Sequence, residues 1–326
     1  MAGEPRRPWY ERFGGIGGSE TATQSLRKEG IPVPAGGTFQ GRKPPQARRS
    51  YEEAPDAQLE ERWSAVSRCD RTAEVTEVSW LTRTGTLRLA FEVTDDRPFS
   101  FEPGNFVRIE TEVEGKGFRR GTYCIASSPS EYRRFDLLVR VVPGGRMSSH
   151  LGSLRLGDGI AFRGPTGRSM VKAAGEGDGG LVLVATGVGV APLLSLSTTL
   201  LRSGVRRPID LYWGLRLPDD VCLTTELDRL AARHENFQYR ISLSQPPEEW
   251  TGLRGRVTES VPPLLDDLEG KRFFLAGNGA MIEELASALR ELGVTADRIY
   301  EEPYFNARHV PEPRVVEEIV ARFAAA

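Results

Sequence analysis

The feature that constrains this chain most is a change of hydrophobic pattern near residue 180. Between Ala73 and Phe162, short stretches of alternating apolar and polar residues are separated by glycine and proline. Such alternation is typical of half-buried strands, and a series of about six predicts an antiparallel barrel. From Leu181 onward, apolar runs of strand length alternate with helical patterns. This second pattern predicts a parallel, doubly wound sheet, so we expect an all-β domain followed by an α/β domain.

The individual elements can be placed approximately from these patterns. The expected barrel strands are Ala73–Val78, Leu87–Val93, Phe106–Glu110, Tyr123–Ala126, Phe135–Val142 and Gly159–Phe162. The expected strands of the second half are Leu181–Ala185, Ile209–Trp213, Phe237–Leu243 and Phe273–Ala276. The helices expected between them are Pro192–Leu201, Thr224–Arg233 and Met281–Leu292.

A length of 326 residues allows two domains and an appendage. The predicted organisation is a Gly/Pro-rich basic arm at 1–55, the antiparallel barrel at 70–174, the doubly wound domain at 180–305 and a C-terminal extension at 306–326. The arm carries nine basic and four acidic residues over positions 1–50. We expect it to be either disordered or bound to a partner. Apolar residues at helical spacing over Val315–Phe323 predict a short amphipathic helix.

Composition excludes several classes of protein. The net charge of −2 gives no reason to expect a nucleic-acid partner. Three cysteines far apart in sequence fit a reducing compartment, and a plant-type iron–sulfur cluster needs four. No spacing of histidine or cysteine indicates a metal site. No apolar run is long enough to cross a bilayer and no secretion signal is visible, so we expect a cytoplasmic protein.

Three segments carry residue types suited to a phosphate-bearing cofactor. Gly187–Pro192 lies between a strand and a helix, where glycines allow a tight turn and the helix N-terminus favours a pyrophosphate. Arg119–Pro129 combines arginines with an aromatic ring and hydroxyls. Gly144–Leu151 places glycines, a guanidinium and serines before a short helix, as in an anion nest. Taken singly, each also fits a structural interpretation: a turn, a barrel strand with a basic edge, or a serine-capped hairpin turn.

Taken in order, these segments resemble the ferredoxin–NADP reductase superfamily. The resemblance extends from about Ala73 to Phe305. Its motifs are Pro103–Val107 (PGQF/V in the family), 121–124 (RxYS), 144–151 (GGxxSxxL), 187–192 (GxGxAP), Tyr212–Arg216, Trp250–Val257, Ala276–Met281 (CGxxxM) and the acidic-aromatic Glu302–Phe305.

This resemblance implies that the barrel at 70–174 binds FAD and that the domain at 180–305 binds NADPH or NADH above the Gly187–Pro192 loop. The implied flavin contacts are Arg119, Arg120, Thr122, Tyr123, Cys124, Ile125, Val139, Val141, Gly145, Arg146, Met147, Ser148 and Phe305. The implied nicotinamide-nucleotide contacts are Thr186, Gly187, Gly189, Pro192, Arg216, Ser244, Gln245, Arg256, Gly277 and Met281. The residues expected nearest the reacting rings, and therefore the catalytic candidates, are Tyr123, Cys124, Glu302 and Tyr304. Hydride transfer between stacked rings requires mainly positioning from the protein.

The sequence departs from the family pattern at four positions. Gly121 stands where RxYS has arginine, and Cys124 stands where it has serine. Ala276 replaces the cysteine of CGxxxM, and Gln245 replaces an arginine common in NADP-dependent relatives. A thiol is a weaker hydrogen-bond donor than a hydroxyl, and a lost arginine weakens a 2′-phosphate clamp. The choice between NADH and NADPH therefore stays open at this point.

The resemblance implies an FAD-dependent oxidoreductase that moves hydride between NAD(P)H and flavin. Its electrons would go to, or come from, a separate carrier such as a ferredoxin or an oxygenase component. Two alternatives remain: a subunit that its basic arm docks into a larger electron-transfer complex, and a degenerate binding module without flavin. No membrane span is expected in any of them.

Overall fold

The computed structural model describes residues 69–113, 117–129, 132–142 and 145–304. The predicted arm at 1–55, the extension at 306–326, its helix over Val315–Phe323 and Phe305 lie outside the described residues. The described residues form two six-stranded sheets with helices packed around them.

Six antiparallel strands form the first half. They are β1 (Arg71–Trp80), β2 (Thr86–Val93), β3 (Phe106–Val113), β4 (Gly117–Cys124), β5 (Arg134–Arg140) and β6 (Gly159–Thr166). Their order in the sheet is β4-β3-β6-β1-β2-β5. Helix α1 (Arg146–Ser153) follows β5, and α2 (Met170–Gly175) follows β6. Inward residues at every second position fill the interior, as strand alternation requires, and Phe91 stacks on Phe135 there with ring centroids 5.1 Å apart.

Six parallel strands form the second half. They are β7 (Leu181–Thr186), β8 (Ile209–Leu215), β9 (Phe237–Leu243), β10 (Leu253–Arg254), β11 (Arg272–Asn278) and β12 (Ile299–Tyr304), in the order β10-β9-β8-β7-β11-β12. The helices are α3 (Val190–Arg202), α4 (Thr224–Arg233), α5 (Val257–Ser260) and α6 (Gly279–Glu291). Apolar clusters cover both faces of the sheet, which explains why its central strands are continuous apolar runs.

The two halves contact each other directly. Ala126 and Leu138 of the barrel belong to the apolar cluster on one face of the parallel sheet. The Ser195 hydroxyl of α3 donates to the carbonyl of Ser127 at 2.6 Å. Arg88 of β2 forms an ion pair with Glu226 of α4 at 2.6 Å. These contacts fix the barrel against the carboxyl ends of the parallel strands, where ligands bind in open α/β sheets.

The predicted fold class is confirmed: an antiparallel six-stranded barrel precedes a doubly wound parallel sheet. One strand was misplaced, because Tyr123–Ala126 was expected and the strand is Gly117–Cys124. That stretch is glycine- and arginine-rich and lies at a sheet edge, so it lacks an apolar alternation. Four short or terminal elements were not predicted: β10, β12, α2 and α5.

Candidate active site

A cleft of about 650 Å³ lies between the two halves. Seven of the residues predicted to bind the nicotinamide nucleotide line it together: Thr186, Gly187, Arg216, Ser244, Gln245, Arg256 and Met281. They come from the carboxyl ends of β7, β8 and β9 and from the starts of α5 and α6. The opposite wall is supplied by the barrel, through Thr86, Leu138 and Arg140.

The turn after β7 is packed backbone to backbone against the end of β11. Gly187 has a φ of +53°, a region that glycine adopts without strain. A methyl group on Gly189 would lie 2.5 Å from the carbonyl oxygen of Ala276 and from Cα of Gly277. The Thr186 hydroxyl accepts a hydrogen bond from the backbone N–H of Asn278 at 3.0 Å. Gly189, Gly277 and the buried Pro192 therefore support the loop from behind rather than line the cleft.

Two exposed arginines lie on the nucleotide wall of the cleft, Arg216 and Arg256. Arg216 Nε donates to the side-chain oxygen of Gln245 at 3.3 Å. Gln245, which stands where NADP-dependent relatives commonly have arginine, therefore orients Arg216. Together with the Ser244 hydroxyl, these groups can bind a phosphate by charge-assisted hydrogen bonds.

The cleft also contains residues that sequence analysis did not assign to it. The Trp213 indole donates from Nε1 to the Gly187 carbonyl at 2.8 Å and so fixes the loop. The sequence feature that could have pointed to Trp213 is an aromatic residue near the carboxyl end of a predicted parallel strand. Cys222 lines the cleft, and burial raises the pKa of its thiol to about 11, so it is uncharged at neutral pH. Asp220 and Arg140 meet there from opposite halves, and no sequence motif marked either of them.

The barrel is open along one seam. β4 and β5 are the two edges of its sheet, and they approach each other through a bridge between Ile125 and Leu137. The backbone N–H of Ala126 adds a 2.8 Å bond to the Asp136 carbonyl. Helix α1 packs beside this seam, with Met147 and Leu151 buried in the barrel core.

Tyr123 lies over Gly121 on this seam. A methyl group on Gly121 would be 2.8 Å from Cε2 of Tyr123 and 2.8 Å from Cγ of Met147. The space that the family's arginine would enter is therefore filled by these two side chains. Burial raises the pKa of the Tyr123 phenol, which stays neutral.

Cys124, Phe106 and Tyr304 form a small apolar cluster where β4 meets the end of β12. Burial raises the pKa of the Cys124 thiol, and the nearby Glu302 carboxylate raises it further. Glu302 is itself buried, and its strand neighbour in β11 is Ala276. The structure thus brings Cys124, Glu302 and Tyr304 together. The fourth catalytic candidate, Tyr123, lies on the opposite face of β4.

The predicted arginines have different surroundings. Arg120 forms an ion pair with the buried Glu110 of β3. The backbone of Arg119 pairs with Thr111 in β4, but its side chain is not among those described. Arg146 is exposed at the first position of α1. Of the flavin-set arginines whose side chains are described, Arg146 is therefore the one that lies at the start of α1, next to Gly145.

Four further predicted flavin contacts differ in accessibility. Ile125 and Val139 are buried in the barrel core, so contacts from them would have to come from the backbone. Thr122 is exposed, and Val141 is half-buried beside the core.

The start of α1 fits a pyrophosphate. Gly145 caps the helix with no side-chain hydrogen bond, which leaves first-turn N–H groups for a ligand. A methyl group on Gly145 would lie 2.5 Å from the Ser148 hydroxyl and 3.0 Å from the Val142 carbonyl. The nest therefore requires glycine. With the open seam and Tyr123 beside it, the residues present are compatible with FAD.

Comparison with known proteins agrees with this geometry. Residues 71–170 match the family described as oxidoreductase FAD-binding domain, and residues 183–287 match the oxidoreductase NAD-binding domain. The chain is 34% identical over 223 residues to ferredoxin–NADP reductase B of Sorangium cellulosum, a match that covers 66% of this chain and 90% of that protein.

Two further similar proteins are reductases. The chain is 29% identical to the ferredoxin–NAD(P)(+) reductase component of the naphthalene 1,2-dioxygenase system of Pseudomonas putida, over 64% of this chain and 62% of that protein. The crystal structure of the Amycolatopsis cytochrome P450 reductase GcoB is similar with a TM-score of 0.66 and 28% identity, over 73% of this chain and 70% of that one.

Fold, site and comparisons together define a flavin- and nicotinamide-dependent oxidoreductase. The chain belongs to the ferredoxin–NADP reductase superfamily. Its cofactors are FAD and NAD(P)H, and its class of reaction is electron transfer between NAD(P)H and a separate carrier.

The described part of the chain has neither a membrane-spanning helix nor a metal-binding cluster. Each of its helices is too short or too polar to cross a membrane. No group of three or more His, Cys, Asp or Glu side chains in the same residues could hold a metal ion.

Proposed function

We propose that this protein is the reductase of a multi-component system: it accepts hydride from NADPH or NADH and passes electrons to a separate protein such as a ferredoxin or an oxygenase component. The observation that carries the proposal is the cleft between the halves. Its nucleotide wall carries Gly187, Arg216 and Arg256, and its other wall is the barrel that offers the flavin seam.

The nucleotide would bind with its pyrophosphate over the Gly187 loop. The Trp213 indole holds that loop by its hydrogen bond to the Gly187 carbonyl. The N-terminus of α3, which follows the loop, favours the negative charge of the pyrophosphate. Arg216, oriented by Gln245, and Arg256 favour a ribose that carries a 2′-phosphate. We therefore propose NADPH as the preferred donor, with NADH as the second candidate.

The flavin would bind along the open seam. Gly145, Arg146 and Ser148 would hold its pyrophosphate, and the Tyr123 ring would pack against the ring system. Cys124, Glu302 and Tyr304 would lie at the reacting edge, where a neutral thiol can donate a weak hydrogen bond. Arg119 and Arg120 are secondary phosphate contacts in this proposal, because Arg120 is already paired with Glu110.

Bound FAD supplies the chemistry that connects a two-electron hydride donor to a one-electron acceptor. The protein contributes position and exclusion of water. Apolar residues from both halves, among them Leu138, Val188 and Val190, line part of the cleft and would help to exclude water around a bound nucleotide. The ion pairs between the halves would keep the flavin seam and the nucleotide wall in a fixed relation to each other.

The partner belongs to this proposal as well. The relatives include a reductase of a dioxygenase system and a cytochrome P450 reductase. A basic arm at 1–55 suits the docking of an acidic carrier or a larger complex by charge complementarity. We place the reaction in the cytoplasm, where NADPH and NADH are regenerated.

The experiment that tests the function is anaerobic reduction of the purified protein by NADH and by NADPH, followed side by side by flavin absorbance. We expect a yellow protein that NADPH bleaches faster than NADH. A colourless protein that takes up no added FAD would contradict the proposal and favour the flavin-free module. Bleaching by neither nucleotide would exclude the reductase role, and faster bleaching by NADH would reverse the preference.

A further inference from the structure

Trp80 is a large aromatic residue on the barrel surface that the proposed hydride transfer does not use. It is the last residue of β1, and 55% of its surface is exposed. Its strand neighbour Leu87 is fully buried. A single exposed apolar residue is common on protein surfaces, so the neighbours of the indole decide what it can bind.

The indole lies beside the helix that begins at the anion nest. A methyl group on Gly152 of α1 would be 3.7 Å from Cη2 of Trp80 and 2.9 Å from Cγ2 of Val141. The six-membered ring of Trp80 therefore reaches the last turn of α1, next to the end of β5. A methyl group at position 152 would be in ordinary van der Waals contact with the indole and would crowd Val141 instead.

The distance from the nest to the indole suits one half of a dinucleotide. Gly145 and Gly152 are seven residues apart in one helix, which corresponds to about 10 Å. A pyrophosphate at Gly145 leaves a ribose and a purine to extend along the protein surface. Ser149, exposed between the two glycines, leaves that surface free of large side chains.

We propose that the adenine ring of FAD stacks on Trp80. The inference rests on the proposed FAD site and adds to it a residue that selects FAD over FMN, which has no adenine. Stacking of a base on an aromatic face is favourable for any purine and needs no hydrogen-bonding group.

A protein partner is the other possible cover for Trp80. The position of the indole favours the adenine, because Trp80 adjoins α1 and Val141, both part of the proposed flavin site. If a partner covers Trp80 instead, its removal will leave flavin affinity unchanged.

The test compares the affinities of FAD and FMN for the full-length chain freed of flavin, by calorimetry. Trp80→Ala should weaken FAD binding about tenfold and change FMN binding by less than about twofold. Trp80→Phe should retain most of the FAD affinity, because it keeps an aromatic face. Leu292→Ala, which removes another half-exposed apolar side chain far along the chain, should change neither affinity.

Three results would overturn the inference: unchanged FAD affinity in Trp80→Ala, an equal loss for FAD and FMN, or a wild-type chain that binds both flavins equally well. A wild-type chain that binds neither flavin contradicts the proposed function itself. A loss confined to FAD, reversed by phenylalanine, supports the stacking role.

Discussion

Arg140 of the barrel and Asp220 of the parallel-sheet half are joined across the cleft, with Nη1 of the arginine 3.1 Å from Oδ1 of the aspartate. The Thr84 hydroxyl donates to the same oxygen at 2.7 Å, and the Leu217 N–H donates to the other at 3.2 Å. Burial alone would raise the pKa of Asp220, but the hydrogen bonds from Thr84 and Leu217 and the charge of Arg140 lower it. The carboxylate is thus ionised at neutral pH and ties the two halves together.

Asp220→Ala should slow reduction of the flavin by NADPH at least about tenfold, because small displacements of reacting groups greatly lower the rate of transfer. Rapid-mixing absorbance under anaerobic conditions measures this rate. Asp219→Ala is the matched control, since Thr84 contacts only the backbone carbonyl of that exposed residue. Equal rates in Asp220→Ala and wild type would show that the link does not set the geometry of transfer.

Gly121→Arg restores the family's arginine, yet it should weaken FAD binding. Tyr123 and Met147 fill the space above Gly121, and overpacking costs about 1–3 kcal/mol. We expect a lower melting temperature and about tenfold weaker binding of FAD. Thr122→Arg, at the exposed neighbouring position, adds the same charge without the clash. Tighter binding in Gly121→Arg would mean that Tyr123 moves aside freely.

Cys124→Ser should change the rate of flavin reduction more than stability. The hydroxyl is similar in size to the thiol and is the stronger donor beside Glu302 and Tyr304. We expect the free energy of unfolding to change by less than about 1 kcal/mol. Denaturant unfolding and rapid-mixing kinetics measure the two quantities. An unchanged reduction rate would remove Cys124 from the reacting edge.

Arg256→Ala should reduce the preference for NADPH over NADH at least about tenfold, because a 2′-phosphate loses a charge-assisted bond. Steady-state kcat/KM for the two nucleotides gives the ratio. Arg229→Ala, an exposed arginine on α4, controls for the loss of one positive charge. If kcat/KM falls equally for both nucleotides, Arg256 does not contact the 2′-phosphate.

The Arg71–Asp95 pair should make stability depend on pH in acid. Burial of Asp95 opposes ionisation, but bonds from Arg71, Arg97 N–H and Thr72 N–H lower its pKa from 3.8 to about 2. Because the folded pKa is the lower one, the stabilisation is present above pH 3.8 and is lost as the pH falls toward 2.

Asp95→Asn should therefore lower the free energy of unfolding at pH 7 by about 1 kcal/mol, after allowance for solvent screening. The difference from wild type should narrow below about pH 4. Urea unfolding at several pH values checks this, with the exposed Asp96→Asn as control. A difference that stays constant with pH would assign the effect to packing rather than charge.

Sequence patterns predicted the two-sheet architecture because buried strands and amphipathic helices have distinct periods. The helix Thr224–Arg233 and the strand Phe237–Leu243 were placed to the residue. β4 was misplaced because Gly117–Cys124 carries no apolar alternation at the sheet edge. β12 was not predicted because its acidic residues obscure a strand that pairs with β11.

The nucleotide loop was also accessible from sequence, since contiguous residues form it. The Arg140–Asp220 link was not, because its members are 80 positions apart and only the packing of the two halves brings them together. The same holds for Tyr123 over Gly121, where the arrangement depends on Met147 from α1.

The open seam of the barrel affects how the protein behaves before it binds a cofactor. β4 and β5 are edge strands, and edge strands invite pairing with other polypeptides. We expect newly made protein to be prone to aggregation until FAD covers the seam. The supply of flavin in the cell would then limit how much protein survives, as well as how fast it works.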